Sequence, residues 1–197
     1  MKAFLIRHGE TQHNNDGTIT GQIDISLNDR GLEQAELLAE RLSDIDFMEA
    51  YSSDLERTFR TTEIVAEKHG LRPKKSKELR EMGFGVFEDR HKSEFRQAIS
   101  DFDGDSHFFT PEGGESSNDA AERFLEKMNE IKDNHSGDNV LIGGHGVVLK
   151  SVLMNIFGLT GRDYNRITLG NASVSVLEWD SELGWKLVTW NDTAHMK

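Results

Sequence analysis

Two short apolar runs in this chain each lead into a histidine beside glycine. Lys2-Ala3-Phe4-Leu5-Ile6 runs into Arg7-His8-Gly9-Glu10-Thr11, and Val140-Leu141-Ile142 runs into Gly143-Gly144-His145-Gly146. A short apolar run closed by glycine suits a strand buried on both faces, and such strands belong to parallel sheets covered by helices. In open sheets of that kind, ligands gather just beyond the carboxyl ends of the strands. The repeated pattern therefore predicts two imidazoles at that end of one sheet. Gly9 lacks a Cβ, so backbone and ligand can approach closely there. After His145 the segment Val147-Val148-Leu149-Lys150-Ser151-Val152-Leu153 has a helical look, so Gly146 and the helix start offer N–H groups to an anion.

A third segment adds positive charge. Phe47-Met48-Glu49-Ala50-Tyr51-Ser52 predicts a strand, Ser53 or Asp54 can cap the helix that follows, and Arg57 falls in its first turn. A guanidinium suits phosphate because its planar fork donates two parallel hydrogen bonds. Arg60 is expected to pair on the surface with a neighbouring glutamate.

The remaining pattern predicts α/β architecture. Asn28 or Asp29 can cap a helix to about Leu42, with Leu32, Ala35, Leu38, Ala39 and Leu42 on its core face. Further helices are predicted at about Leu55–His69, Ser116–Lys132 and Val147–Phe157. Strands alternate with them, which predicts a mostly parallel central sheet in a three-layer α/β/α sandwich. Ala172–Trp179 and Trp185–Trp190, joined by a short polar loop, predict a C-terminal antiparallel hairpin. Trp179, Trp185 and Trp190 are expected to pack. His13, His69, His91, His135 and His195 are expected on the surface.

Composition narrows the field. A chain of 197 residues with 36% hydrophobic content suits one domain over 1–197 with a sizeable core. The net charge of −12 argues against nucleic acid and acidic membrane surfaces as partners. No apolar run approaches the ~18 residues of a membrane span, and the first residues are too short for a secretory signal. There are no cysteines, so a cytoplasmic location is the expectation. No metal is expected either. Two arginines disfavour a cation, and neither a His-x-x-x-His nor a paired-Cys spacing is present.

Arg7-His8-Gly9-Glu10-Thr11 with Asn14, Ser53-Asp54-Leu55-Glu56-Arg57-Thr58, Leu79-Arg80-Glu81, His145-Gly146 and Gly170-Asn171-Ala172-Ser173-Val174 together resemble the motifs of the histidine phosphatase superfamily, also called phosphoglycerate mutase-like. The resemblance extends over nearly the whole chain. It implies that His8 becomes phosphorylated, that Arg7, Asn14, Arg57, His145 and Gly146 hold the phosphate, and that Glu81 donates the proton. Two positions depart from the family pattern. Gly144 stands where many members have a small hydroxyl residue, and Asp89 where many have glycine.

The chemistry this implies is phosphatase chemistry. A phosphomonoester carries about two negative charges near pH 7, which the arginines, and His145 if protonated, would offset. Attack by neutral His8 splits one hard step into two. Glu81 would protonate the leaving oxygen and later take a proton from the attacking water. No cofactor is needed, and the expected partner is a small-molecule phosphomonoester. The long stretch 83–115, rich in phenylalanine and including His107, Phe108 and Phe109, is expected to cover the substrate. Two other readings stay open. The mutases of the family transfer the phosphate to a second hydroxyl, but they are longer and carry an Arg-His-Tyr-Gly run that is absent after Glu81. A phosphate-binding module without turnover would be expected to lose His8, Glu81 or His145.

Overall fold

The computed structural model describes residues 1–196. Six strands make one sheet: β1 (Lys2–Arg7), β2 (Glu49–Ser53), β3 (Lys74–Ser76), β4 (Asn139–Gly144), β5 (Val174–Asp180) and β6 (Gly184–Asp192). Their order is β3-β2-β4-β1-β5-β6. The β3–β2, β2–β4 and β4–β1 pairings are parallel, while β1–β5 and β5–β6 are antiparallel. The mixed sheet with its C-terminal hairpin is the predicted architecture.

Alternation along the strands builds the layers. Ala3 and Leu5 of β1 and Val140 and Ile142 of β4 pack with Phe124, Met128 and Ile131 of α5 (Ser117–Asn134) and Val148, Leu149 and Val152 of α6 (Gly146–Phe157). Phe4, Ile6 and Leu141 face the other way, onto Leu38 and Ala39 of α2 (Asp29–Arg41) and Val65 and Ala66 of α3 (Glu56–Glu67). One helix pair therefore covers each face of the sheet. A short helix, α1 (Gln12–Asp16), follows β1, and α4 (Lys92–Ser100) lies within the long 83–115 stretch.

Several local expectations need correction. In α2, Leu32 is exposed, and Gly31 and Gln34 take buried positions instead. The reason is a backbone-on-backbone contact: a Cβ on Gly9 would collide with the Gly31 carbonyl, and one on Gly31 with that of Glu10. The loop after β1 is thereby pressed against the start of α2, and Gln34 accepts the Glu10 N–H at 2.9 Å. At α3 the cap is Leu55, not Ser53 or Asp54. Arg80 holds Asp54 in a fork, at 2.6 and 2.7 Å, which removes it from capping.

Of the five histidines expected on the surface, only His91 is exposed. His13 lies by Thr20 and Asp89, His135 bonds Tyr51, His195 bonds the Ala172 carbonyl, and His69 packs edge-to-face on Phe47. Arg60 does form its surface pair, with Glu63 at 2.7 Å. Among the described residues no helix is long and apolar enough to cross a membrane.

Candidate functional site

The carboxyl ends of β1, β4 and β2 meet at one point of the sheet. Arg7 pairs with Gly144, and Ser52 with Gly143. The residues that follow these strands are consequently neighbours, although most of the chain separates His8 from His145. A cavity of about 770 Å³ opens there, lined among others by Arg7, His8, Asn14, Arg57, Glu81 and Gly146. His145 lies buried against His8, with ring centroids 5.3 Å apart.

The His8 ring is fixed from several sides. Its Nδ1 lies 2.7 Å from the Gly9 carbonyl. A carbonyl only accepts, so Nδ1 carries the proton and Nε2 keeps its lone pair. The backbone is pinned as well. Ala172 N–H donates to the His8 carbonyl at 3.1 Å, and Asn171 Nδ2 reaches both His8 and Gly9 carbonyls at 3.2 Å. Gly9 N–H donates to Thr61 Oγ1, which in turn donates to the Arg57 carbonyl.

Burial, reinforced by the charges of Arg57 and Arg7, holds His8 well below the usual imidazole range. The same burial, with Arg57 and His8 beside it, does this to His145. Both rings are therefore neutral near pH 7, so in the unliganded site the positive charge comes from the arginines. His145 Nε2 lies 2.8 Å from Ser53 Oγ, and Thr58 Oγ1 is 3.2 Å from both ring nitrogens.

The two arginines are held from behind. Arg57, 1% exposed, donates from Nη1 to the Ile23 carbonyl at 2.8 Å and from Nη2 to that of Gly21 at 2.7 Å. Arg7 donates from Nη1 to the Leu169 carbonyl at 2.5 Å. The Nε–H of each is buried with no partner. Burial lowers both guanidinium pKa values, that of Arg57 to about 10. Two buried cations that line the cavity, each with an unpartnered Nε–H, make an environment short of an anion.

Glu81 is clamped at the helix start. Its Oε1 accepts from the backbone N–H of Met82 at 2.9 Å and of Val148 at 2.8 Å, and its Oε2 from Val147 at 3.0 Å. The first turn of α6 therefore holds a carboxylate of the protein itself. That differs from the expectation that this helix start faces the ligand, although Gly146 does line the cavity and would place a Cβ only 3.2 Å from Arg7 Nε. The loop bearing Glu81 is braced from outside, where Arg123 donates to the Glu78 carbonyl at 2.7 Å and to Glu115 at 2.8 Å. Glu78 bonds Ser76 instead of joining the site.

Asn14 accepts from Asn171 Nδ2 at 3.0 Å and from Thr11 N–H at 3.1 Å, which turns its own amide N–H₂ away from these partners. Both departures from the family pattern have local causes. Asp89 adopts φ +62°, a left-handed conformation that Asp tolerates better than most residues. At Gly144 a Cβ would sit 3.0 Å from Leu149 Cδ2 and 3.1 Å from Phe124 Cε2, so a hydroxyl residue would push into the core.

Of the 83–115 stretch, only Phe84 lines this cavity. Phe108 is 59% exposed, and Phe109 packs on Phe95 and Phe102, so neither reaches His8. The stretch instead walls an adjoining cavity of about 520 Å³ with Phe84, Phe95 and Ile99. His107 is locked between Ser117 at 2.7 Å and Asn155 at 2.6 Å. Lys150 and Tyr164, which carry no expected role, also line the first cavity. Burial, followed by repulsion from Arg7, brings the Lys150 ammonium down to about 8, and burial raises Tyr164.

The neutral histidines have a consequence for stability. Unfolded, each binds a proton near pH 6.5; folded, each resists it until well below that pH. Their contribution is fully present above about pH 6.5 and is lost as the pH falls toward the folded-state values, with a slope of up to about 1.4 kcal/mol per pH unit for each ring. Urea unfolding between pH 7.5 and 5 is expected to show this decline, and His8→Gln is expected to make it shallower by about one proton. An identical slope in the variant would contradict the neutral assignment.

Residues 3–193 match the histidine phosphatase superfamily (branch 1). A probable phosphoglycerate mutase, GpmB, of Escherichia coli is 31% identical over 204 residues, covering 100% of this chain and 95% of that protein. Among solved structures, YhfR of Bacillus stearothermophilus superposes with a TM-score of 0.90 at 29% identity, covering 100% of this chain and 99% of that one. A mycobacterial glucosyl-3-phosphoglycerate phosphatase in complex with VO3 gives 0.87 at 25% identity, covering 98% and 99%.

Proposed function

Since the chain belongs to the histidine phosphatase superfamily, we propose that it is a phosphatase that hydrolyses small phosphomonoesters through a phosphohistidine on His8. The carrying observation is the pair of orphaned, buried Nε–H donors on Arg7 and Arg57 beside a histidine whose Nε2 is free. A phosphate dianion supplies what these donors lack. Asn14, Gly146 and neutral His145 complete its surroundings.

In the first step the lone pair on His8 Nε2 forms a bond to phosphorus as the bond to the ester oxygen breaks. Glu81 supplies a proton to that oxygen. Its Oε2, with a single backbone donor at 3.0 Å, keeps a lone pair on which the proton can sit. In the second step the carboxylate takes a proton from water, which attacks phosphorus and frees His8. Gly9 stabilises the positive charge that develops on the ring, through its carbonyl at Nδ1. The donor set, two arginines and two imidazoles around a single carboxylate, suits an anion better than a cation, so the proposed activity needs no metal. Persistence of turnover in excess chelator is the corresponding check. The whole chain acts as one domain in this reading, and 83–115 covers the leaving-group side through Phe84 and the adjoining cavity.

Glu81→Gln tests the acid. Loss of a positioned proton donor costs about 10²–10⁴-fold, and only where the leaving oxygen needs the proton. The expected result is that kcat for an alkyl phosphate falls in that range while kcat for para-nitrophenyl phosphate falls less than about tenfold. Equal losses on both would remove Glu81 from that role.

The mutase reading has one point in its favour, the name of the GpmB relative. It differs only in what accepts the phosphate from His8. Measuring inorganic phosphate release against conversion of 3- to 2-phosphoglycerate separates the two, and release in excess is expected.

A further inference from the structure

The support behind Arg57 extends one step further, to a side chain outside the site. The two carbonyls that take its Nη groups, those of Gly21 and Ile23, stand on either side of Gln22. The Gln22 N–H belongs to the same peptide unit as the Gly21 carbonyl, and it donates to Glu88 Oε1 at 2.9 Å. One planar peptide therefore carries the Arg57 guanidinium on its oxygen, at 2.7 Å, and the Glu88 carboxylate on its nitrogen. Opposite charges at its two ends polarise that peptide and strengthen both hydrogen bonds.

Other features tie Glu88 to this place. Gly21 adopts φ +53°, and a Cβ there would collide with Glu88 Oε1, so the loop turns where the carboxylate abuts its backbone. The same Oε1 accepts the Phe84 N–H at 3.1 Å, and Phe84 walls both cavities. After Glu81 and Asp24, Glu88 is a further carboxylate whose charge counters the effect of burial on Arg57. A carboxylate bonded directly to Arg57 would compete with a phosphate for the same donors. Set behind a peptide, Glu88 steadies the guanidinium while its Nε–H stays without a partner. The loop itself has other attachments. Asp89 N–H donates to the Ile19 carbonyl at 2.9 Å, and Ile19 N–H to that of Arg90 at 2.8 Å.

We infer that Glu88 is a positioning residue for Arg57. By accepting the Gln22 N–H it fixes the Gly21–Gln22 peptide, and the carbonyl of that peptide aims the guanidinium at the phosphate. The inference rests on the reading that the phosphate lies between His8 and Arg57. Glu88 does not touch the substrate; it acts through Arg57, and its loss lets the guanidinium drift from the place where the phosphoryl charge develops.

The test compares the wild type with Glu88→Ala, Glu88→Gln, Arg57→Met and the double variant Glu88→Ala/Arg57→Met. Misplacement of a charged group by about 1 Å costs on the order of 10²-fold, so Glu88→Ala is expected to lower kcat/KM on para-nitrophenyl phosphate by about 10- to 100-fold. Glu88→Gln offers an amide oxygen to the same N–H groups and is expected to stay within about fivefold of the wild type. With Arg57→Met already in place, Glu88→Ala is expected to change kcat/KM by less than about twofold, because the group it positions is gone. A residue that merely supports the fold gives the same loss in both backgrounds, and that result would overturn the inference. So would a glutamine variant as impaired as alanine, or an alanine variant with wild-type kcat/KM. Should Glu88→Ala fail to fold, Glu88→Met takes its place, and failure of both would assign Glu88 to the fold instead. Orthophosphate affinity is read by calorimetry on the wild type and the two Glu88 variants. Affinity weakened about tenfold by Glu88→Ala and restored by Glu88→Gln, with no phosphomonoester turned over, removes the phosphatase reading and keeps the positioning role. Turnover indifferent to Glu88→Ala does the reverse.

Discussion

Replacing His8 by alanine is expected to lower kcat/KM on every phosphomonoester by at least about 10⁴-fold, with the fold intact. Removal of a covalent nucleophile has effects of this size or more because the rest of the machinery is left without a reaction to assist. The ring is 5% exposed, and its partners are a backbone carbonyl at Nδ1 and the edge of His145. The scaffold around it does not hang on the imidazole. Its backbone is held by Ala172 N–H and Asn171, which alanine leaves in place. The variant is therefore expected to keep its far-ultraviolet spectrum and cooperative unfolding, and to bind orthophosphate. A residual rate within tenfold of the wild type would remove His8 from the chemistry.

The second large effect is expected at Arg57. Arg57→Met keeps the length and apolar stem and deletes the charge. A preorganised donor in a dry site is worth about 10²–10³-fold in rate, and Arg57 supplies a whole charge as well, so a loss of about 10³-fold or more in kcat/KM is expected. Stability moves much less. The folded protein holds this cation at a pKa of about 10 because burial disfavours it, and deletion relieves that penalty while leaving the Gly21 and Ile23 carbonyls without their donor. These changes oppose each other. The readout that isolates the charge is ligand-induced: orthophosphate raises the melting temperature of the wild type, and Arg57→Met is expected to abolish that rise. A phosphate-dependent rise of equal size in the variant would show that the anion does not meet Arg57.

What could be read from the sequence follows from the range of the forces involved. β1 and β4 announce themselves through local apolar runs, and the glycine-flanked histidines mark their ends, so the layering and the adjacency of His8 and His145 were accessible. The helices at 29–41, 117–134 and 146–157 carry their own periodicity or glycine punctuation. The misses are of another kind. Leu32 fits the helical face, but the backbone contact between Gly9 and Gly31 rotates Gly31 into the buried position. Asp54 is a good capping residue that Arg80 claims from another loop. The clamp on Glu81 by Val147 and Val148 joins residues 66 and 67 positions apart, and Asn171 reaches His8 across 163. No local pattern encodes such contacts. Lys150 had a signal that went unused, its spacing of four from Gly146 on one helix face. Tyr164 had none, because it sits in an irregular 3-10 segment, Gly161–Arg166. Phe108 and Phe109 illustrate the opposite error: aromatic residues in a long connection suggested a cover, and one proves exposed while the other packs on its own segment.

The most direct measurement of the central claim is chemical trapping of the enzyme during turnover. A phosphomonoester labelled in its phosphate is mixed with the protein, the reaction is quenched within one turnover in alkali, and the label is mapped. Phosphate on nitrogen survives base and is lost in acid. The account predicts label approaching one per chain on the peptide that contains His8, released by acid and missing in His8→Ala. Rapid release of inorganic phosphate with no label on the protein, or label on any residue other than His8, would contradict it.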